Sequence, residues 1–222
     1  GPAYSDDRAR VGIRINDLYY KEQLRARLLN LYKYHDLKLS ASALDTLLKK
    51  LLTAGKKLAP YVTQTDTYLR KRYQEGDQIL FEGAQGTLLD ITYGTYPFVT
   101  SSNTAVGGIC TGAGIPLRMV DKVIGVYKAY CTRVGEGPMP TELKDKTGDA
   151  IRIRGNEFGA TTGRPRRIGW FDAVAARYTA ELNGVDSLAV TLLDVLTGTD
   201  EIKVCTAYWI EGKRTEEYPA DA

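Results

Sequence analysis

Three arginines crowd into a short loop that begins with small polar residues. A guanidinium group presents N–H donors in a rigid fork that matches carboxylate and phosphate groups. Three such charges repel one another unless an anion lies among them. The loop therefore predicts a site for an anionic ligand, with a solvated basic loop as the alternative. It runs Gly159-Ala160-Thr161-Thr162-Gly163-Arg164-Pro165-Arg166-Arg167.

A glycine-rich stretch earlier in the chain is a second candidate site. Seven glycines fall within the 32 residues from Gly83 to Gly114, mixed with Thr, Ser, Asn and Gln. Backbone N–H groups and hydroxyls in such a stretch can bind an anion. Gln85 carries a donor and an acceptor that suit an amide-like edge such as a purine carbonyl, and the polar run from Thr100 to Thr104 suits a phosphate. A turn amide and a solvated loop are the alternatives.

Two further polar residues invite a chemical interpretation. Asp194 follows a predicted strand, where its carboxylate can accept two hydrogen bonds from a guanine; an Asp in this place is more often a turn former or helix cap. His35 is the only histidine and lies far from the glycine-rich stretch. A helix-end or packing role is favoured over catalysis for it. Because there is no second histidine, the chain offers no histidine base for a Ser–His or Cys–His nucleophilic mechanism.

The elements around these motifs predict an α/β fold. Residues 1–76 form a predicted helical subregion, with helices starting near Asn16, Ser40 and Leu58 and the last one ending at Gly76. Residues 77–222 form a predicted α/β core, which is indicated by apolar, strand-like runs separated by a helix. We expect a mainly parallel central sheet with flanking helices, in one structural domain of a larger enzyme. The core runs are strands at 78–82, 123–130, 187–193 and 202–210, a hairpin-like region at 142–154 and a helix at 172–184.

The composition is that of an ordinary globular chain. Of 222 residues, 43% are apolar and 26% charged, which argues against fibrous and disordered classes. A formal charge of +3 argues against a dedicated nucleic-acid binder. The three cysteines lack CxxC spacing, so neither a disulfide framework nor a zinc site is predicted and a cytoplasmic location is expected. No apolar run is long enough for a membrane span, and no signal-type leader is seen.

Four segments of the chain, taken together, are specific. They are FEGAQGTLLDITYGTYPFVTSSNTAVGG, TRVGEGPMPTEL, GNEFGATTGRPRRIGWFD, and LLDVLTG followed by EIKVC. In this order they resemble the adenylosuccinate synthetase family, and the resemblance covers essentially the whole chain. It implies a GTP-dependent ligase that joins IMP to L-aspartate in the first committed step of AMP biosynthesis. It also implies that the reaction passes through 6-phosphoryl-IMP and uses Mg2+.

The resemblance implies a set of IMP contacts. Gln85 matches the residue that contacts the 6-oxo group and helps to stabilise the phosphorylated intermediate. Thr100 matches a ligand of the IMP phosphate, and Val134 a backbone contact to the ribose, which Arg164 also touches. Arg10 matches an arginine that reaches the IMP phosphate of the neighbouring subunit, so a homodimer is expected.

The resemblance also implies contacts for the other two substrates. The aspartate-binding loop matches Ala160, Thr161, Thr162, Gly163, Arg164 and Arg166. The GTP contacts match Arg166, Leu192, Leu193 and Asp194, with the Asp194 carboxylate reading the guanine base.

Two departures from the family pattern carry expectations. Leu192 stands where the family has a lysine, so we expect weakened GTP recognition. The family's phosphate loop, with its catalytic Asp, a later catalytic His and the expected Mg2+ ligands, is not matched by this chain. We therefore expect the chain alone to be inactive. The alternative is a non-catalytic nucleotide-binding or dimerisation fragment, or a trimmed form, of that family.

Overall fold

A computed structural model describes residues 1–159 and 163–219 of the chain. The chain divides into two compact units, Gly1–Tyr68 and Leu69–Ala222. Within the described residues, no helix has both the length and the apolar character needed to cross a membrane.

The first unit is helical and packs around leucines. Leu24 and Leu28 on one helix, and Leu44 and Leu48 on the next, are all 3% exposed or less and form a cluster with Leu18. Their i, i+4 spacing places each pair on one helix face, as the leucine pattern predicts. The predicted helix start near Asn16 is wrong: Ile15–Tyr19, which contains Leu18, forms a 3₁₀ turn, and the α-helix begins only at Lys21. The helices of this unit are α1 (Pro2–Arg8), α2 (Lys21–Tyr34) and α3 (Ala41–Leu58). Helix α4 (Thr65–Gln74) begins in this unit and continues past its last residue, Tyr68.

The predicted end of α3 is wrong. Gly55 lies inside the helix, not at its end, and it is buried. A Cβ there would approach the carbonyl oxygen of Leu18 to 2.7 Å. The glycine therefore serves close packing. The helix ends at Leu58, and Pro60 lies in the short 3₁₀ turn that follows. The predicted helix from Leu58 to Glu75 accordingly begins only at Thr65.

The second unit confirms the α/β class, with parallel strands and helices. Strands β1 and β4 pair in parallel over five residues each, with Lys128 opposite Thr191 at their ends. Strand β3 pairs antiparallel with β2 and parallel with β5, and β6 and β7 form a separate antiparallel pair. The strands are β1 (Ile124–Lys128), β2 (Tyr130–Arg133), β3 (Arg167–Asp172), β4 (Ser187–Thr191), β5 (Val204–Cys205), β6 (Tyr208–Ile210) and β7 (Lys213–Thr215).

The helix between β3 and β4 has the predicted boundaries. Asp172 caps its start by accepting hydrogen bonds from the backbone N–H groups of Val174 and Ala175, and Gly184 ends it in the left-handed conformation. Both signals are local and readable from sequence. The helices of this unit are α5 (Gly107–Ala113), α6 (Lys146–Arg154) and α7 (Ala173–Asn183).

Two predicted β elements are not formed. Residues 78–82 are not a strand, and Leu80 is 87% exposed, because no described strand pairs with this run. The hairpin-like region at 142–154 contains helix α6. Its start is capped by Asp145, which accepts from the N–H of Gly148 at 3.0 Å, and Ile151 is fully buried in the core. The sequence pattern of this short helix is mostly polar and shows no apolar face, because one buried apolar side chain is enough to anchor it.

Candidate functional site

Asp90 organises the glycine-rich stretch. Its carboxylate is fully buried and accepts hydrogen bonds from four backbone N–H groups. Two donors, Thr92 and Tyr93, follow it directly at 2.8 and 3.1 Å. The other two, Thr104 and Ala105, lie 14 and 15 residues further along the chain and donate at 2.6 and 3.2 Å. One side chain therefore closes the segment into a loop.

The ionised form of Asp90 is the stable one in the folded chain. Burial by itself raises the pKa of a carboxyl group, but the four backbone N–H donors outweigh it and lower the pKa of Asp90 below its ordinary value of 3.8. The charge is thus satisfied within the protein, and Asp90 acts as a structural centre of the site.

Gln85 and Thr100 lie on the two arms of this loop. The backbone N–H of Thr100 donates to the carbonyl oxygen of Leu89 at 2.9 Å, and the hydroxyl of Thr104 donates to the carbonyl oxygen of Gly86 at 2.8 Å. The side chain of Gln85 is exposed, and its backbone adopts the left-handed conformation with φ 64°. The structure therefore joins the two segments that the sequence singled out separately.

Asn183 connects the same loop to the end of α7. Its amide nitrogen donates to the hydroxyl of Thr87 at 2.9 Å, and its amide oxygen accepts from the N–H of Val106 at 2.7 Å. Sequence reasoning did not identify Asn183, because an Asn before a glycine is also an ordinary helix end. Its position just before the cap Gly184 was the available signal.

The segment that contains Val134 forms a second loop, from 134 to 138. Val134 is 59% exposed and follows β2 directly. Arg167 donates to the carbonyl oxygens of Gly135 and Gly137 at 3.2 and 2.8 Å, and it pairs with Glu142 through two nitrogens at 2.7 and 2.8 Å. The Arg167 guanidinium is the main cause that lowers the pKa of Glu142.

Glu157 is the centre of a charged cluster beneath the arginine loop. Its side chain is 1% exposed and accepts from Lys128 at 2.6 Å, Tyr130 at 2.7 Å and Arg166 at 2.6 Å. Burial raises the pKa of a carboxyl group, but the hydrogen bonds from these three partners lower that of Glu157 below its ordinary value. Burial, and after it the same carboxylate, raise the pKa of Tyr130. The Glu157 cluster, defined by these four residues, fixes Arg166 against the end of β1.

The charge argument from the sequence needs correction. Arg166 and Arg167 each face an internal carboxylate, Glu157 and Glu142 respectively. Their close spacing therefore does not by itself require an anionic ligand. The signal missed in the sequence was the pair of glutamates that lie 9 and 25 residues before these arginines.

The rest of the arginine loop is described in part. Gly163 is left-handed with φ 64°, its N–H donates to the carbonyl oxygen of Gly159 at 2.8 Å, and the N–H of Gly159 donates to that of Arg164, also at 2.8 Å. These bonds hold Gly163 and Arg164 close to Gly159, and Arg164 is exposed. The predicted contacts Ala160, Thr161 and Thr162 lie outside the described residues.

Asp194 begins a 3₁₀ turn after β4 and is exposed, as is Leu193. Leu192 adopts φ 60° and packs, half-buried, against the core cluster that includes Tyr130 and Ile168. Arg154 of α6 holds the following segment by donating to the carbonyl oxygen of Thr197 at 2.6 Å. The Leu192 side chain is thus part of the core instead of lying free on the surface.

Arg10 belongs to the first unit. It follows α1, is exposed and is left-handed with φ 65°. Its N–H donates to the carbonyl oxygen of Asp7 at 3.0 Å, and the neighbouring N–H groups of Val11 and Gly12 both donate to that of Asp6. His35 is exposed, ends α2 as its C-cap residue and pairs with the Asp6 carboxylate at 2.8 Å, so of the helix-end and packing roles expected for it, the structure favours the first.

Within residues 1–159 and 163–219, no group of three or more His, Cys, Asp or Glu side chains comes together to hold a metal ion. The described residues form a set of loops that carry amide, hydroxyl and guanidinium groups. Buried carboxylates hold these loops by accepting hydrogen bonds from them. Such a surface suits a ligand with an amide edge and several anionic groups.

The chain matches known proteins along its full length. A family model for adenylosuccinate synthetase matches residues 1–222. The adenylosuccinate synthetase of Bifidobacterium animalis subsp. lactis is 50% identical over 229 residues, covering 100% of this chain and 53% of that protein. The enzyme of the same name from a Synechococcus species is 51% identical, covering 100% of this chain and 51% of that protein.

A solved structure shows the same fold. Fully ligated adenylosuccinate synthetase from Plasmodium falciparum superposes with a TM-score of 0.89 at 35% identity, covering 99% of this chain and 53% of that chain. This chain spans about half the length of the relatives that it matches. Because the family match runs from the first residue to the last, the chain belongs to the adenylosuccinate synthetase family.

Proposed function

We propose that this chain supplies the IMP cradle, the aspartate clamp and part of the guanine contact of a GTP-dependent adenylosuccinate synthetase. The observation that carries the proposal is the buried Asp90 carboxylate, which draws the Gln85 arm and the Thr100 arm of one loop together. A purine amide edge and a phosphate need both arms at once. The active protein is proposed to be a cytoplasmic homodimer.

The proposed reaction has two group-transfer steps. A base expected outside this chain takes the N1 proton of IMP, the 6-oxygen forms a bond to the γ-phosphorus of GTP, and the bond from that phosphorus to the bridging oxygen breaks, so that GDP leaves. The amino nitrogen of L-aspartate then bonds to C6, inorganic phosphate leaves and the nitrogen gives up its proton. Phosphoryl transfer depends mainly on positioning and charge stabilisation. Mg2+ belongs to the proposed reaction, and its ligands are expected outside this chain.

Each step has proposed contacts in this chain. Gln85 hydrogen-bonds the 6-oxo edge, Thr100 the IMP phosphate and the backbone of Val134 the ribose. Arg164 and Arg166 hold the carboxylates of aspartate, together with Thr161, Thr162 and the neighbouring backbone, while Asp194 accepts from guanine. Arg10 completes the IMP site of the neighbouring subunit. The groups that activate IMP are expected outside this chain, so the chain alone is proposed to be inactive.

A calorimetric titration of the 222-residue chain with IMP tests the proposal. We expect saturable binding that Gln85→Ala and Arg10→Ala each weaken by about tenfold or more, the value of one lost hydrogen bond to a charged or buried group. Gln74→Ala and Arg25→Ala, both at exposed helical positions, are the matched controls and should leave the affinity unchanged. No saturable binding by a folded chain would refute the proposal.

A second candidate is a non-catalytic nucleotide-binding or dimerisation module. Leu192 favours it, because an apolar side chain at the guanine contact supplies no charge and packs into the core. We expect Leu192→Lys to bind GTP more tightly than the unaltered chain in the same calorimeter. Equal GTP affinity of the two chains would show that this position does not limit guanine recognition.

A further inference from the structure

Arg133 lies between the two loops that carry the predicted IMP contacts. In the loop that directly follows Arg133, its Nε donates to the carbonyl oxygen of Glu136 at 2.8 Å and its Nη1 to that of Pro138 at 3.4 Å. On the other side, Nη2 donates to the hydroxyl of Thr95 at 2.8 Å and to the carbonyl oxygen of Phe98 at 2.9 Å. One side chain therefore connects two parts of the chain. One is the loop that directly follows Arg133, and the other lies 35 to 38 residues before it.

The donors of Arg133 face neutral oxygens. The four acceptors are three backbone carbonyls and one hydroxyl, and Thr95 is itself 2% exposed. Burial lowers the pKa of Arg133, and the nearby charge of Arg167 lowers it further. A cation at such a place is retained for the geometry of its fork, which lets one planar group hold several acceptors in fixed directions.

The loop backbone is shaped around this guanidinium. Gly137 adopts φ 110°, which is unfavourable for any residue with a side chain. A Cβ at Gly137 would also overlap the Arg133 guanidinium group. The loop thus closes over Arg133 only because position 137 is a glycine.

The clamped positions lie next to the two predicted ligand contacts. Val134, the predicted ribose contact, is the next residue after Arg133. Thr100, the predicted phosphate contact, is two residues beyond Phe98 and is held on its other side by Leu89. We propose that Arg133 is a positioning residue that fixes the spacing between the ribose contact and the phosphate contact of a nucleoside monophosphate site. The proposal rests on the proposed function for its ligand.

The test combines amide hydrogen exchange without ligand and IMP titration on the 222-residue chain. In Arg133→Lys, which keeps the charge and loses the fork, we expect faster exchange in both 86–104 and 134–138 and an IMP dissociation constant raised by about tenfold. Arg167→Lys should loosen 134–138 alone, because Arg167 has no bond to Thr95 or Phe98. Arg214→Lys, at an exposed arginine, is the control that should change neither readout.

Two further variants guard against a general loss of structure. Gly137→Ala keeps the Arg133 residue but displaces its guanidinium group, so it should reproduce both effects. Added guanidinium, but not ammonium, should restore IMP affinity to Arg133→Ala, which a merely destabilised chain would not show. Unchanged exchange in both loops of Arg133→Lys, or unchanged IMP affinity despite faster exchange, would overturn the proposal. Absence of IMP binding by the unaltered chain would refute the proposed function instead, and exchange would still decide whether the clamp exists.

Discussion

Asp90 and Glu157 are both buried carboxylates, and each is satisfied by a different kind of donor. Asp90 accepts from four neutral backbone N–H groups, whereas Glu157 accepts from two cationic side chains and a phenol. The first arrangement fixes the path of the backbone, and the second fixes the direction of a side chain. Both stabilise the ionised carboxylate, so both are sensitive to its protonation.

Glu157→Gln should destabilise the chain strongly. The change keeps the shape of the side chain but leaves Lys128 and Arg166 without their common counter-charge. Their side chains are 31% and 30% exposed, so solvent softens the loss to about 2–3 kcal/mol in the free energy of unfolding. Urea denaturation at neutral pH measures it. The exposed Glu181→Gln is the matched control and should stay within about 0.5 kcal/mol of the unaltered chain; equal losses in the two variants would contradict this role.

Stability should fall in acid because of these carboxylates. The folded-state pKa values of Asp90 and Glu157 lie below their ordinary values of 3.8 and 4.5. Their stabilisation is therefore fully present above the ordinary values and is lost as the pH falls below them and through the lowered folded values. Urea midpoints measured from pH 7 down to about pH 3 should show the loss of stability beginning at about pH 5.

Asp90→Asn isolates one contribution to this acid dependence. At neutral pH we expect a loss of about 2–3 kcal/mol, because an Asn amide can accept on one side only and turns a donor towards the backbone N–H groups. The variant should also lose less stability than the unaltered chain between neutral and acid pH. An identical pH profile in the two proteins would show that Asp90 does not contribute to it.

At the scale of elements, α7 holds the site together. Its start is capped by Asp172, which also accepts from the hydroxyl of Tyr208 at 2.6 Å, and its last residue, Asn183, binds the glycine-rich loop. The helix therefore connects β6 at one end with the Asp90 loop at the other. Its boundaries determine where Asn183 is presented.

Gly184→Ala should weaken this element. Gly184 is left-handed with φ 59°, so a side chain there costs about 1 kcal/mol in the free energy of unfolding. Gly112→Ala is a matched change of opposite sign, because Gly112 lies exposed within α5 and Ala favours a helix by about 0.5–1 kcal/mol. Thermal or urea denaturation distinguishes them; a loss in both, or in neither, would contradict the assignment.

At the scale of the whole molecule, the homodimer expectation makes Arg10 act across subunits. In a symmetric dimer, a chain with Gln85→Ala and a chain with Arg10→Ala each lack one contact in every site. After the two are unfolded together and refolded, a mixed dimer has one site with both contacts and one with neither. We expect titration with IMP to recover roughly a quarter of the tight sites on random mixing.

Two controls accompany the mixing experiment. Each variant refolded alone should recover no tight sites, and the unaltered chain should recover all of them. If the mixture recovers none while remaining dimeric by sedimentation, Arg10 acts within its own subunit. A monomeric chain under the same conditions would refute the dimer itself.

The sequence by itself determined the features whose causes lie within a few residues of one another. Leucines at i, i+4 predicted the helix faces of the first unit, and Asp172 with Gly184 predicted both ends of α7. Periodicity and capping act between near neighbours, so they can be read along the chain. The long motifs around Gln85 and Arg166 likewise indicated the family before any contact was known.

Only the tertiary structure decided which charges and loops meet. Lys128 and Glu157 are 29 residues apart in sequence, Arg167 and Glu142 are 25 apart, and Arg133 and Thr95 are 38 apart. The same physics left residues 78–82 without a pairing strand and turned 146–154 into a helix. Such outcomes depend on the hydrogen-bond partners and the burial that distant parts of the chain provide for a segment. A local sequence pattern does not contain that information.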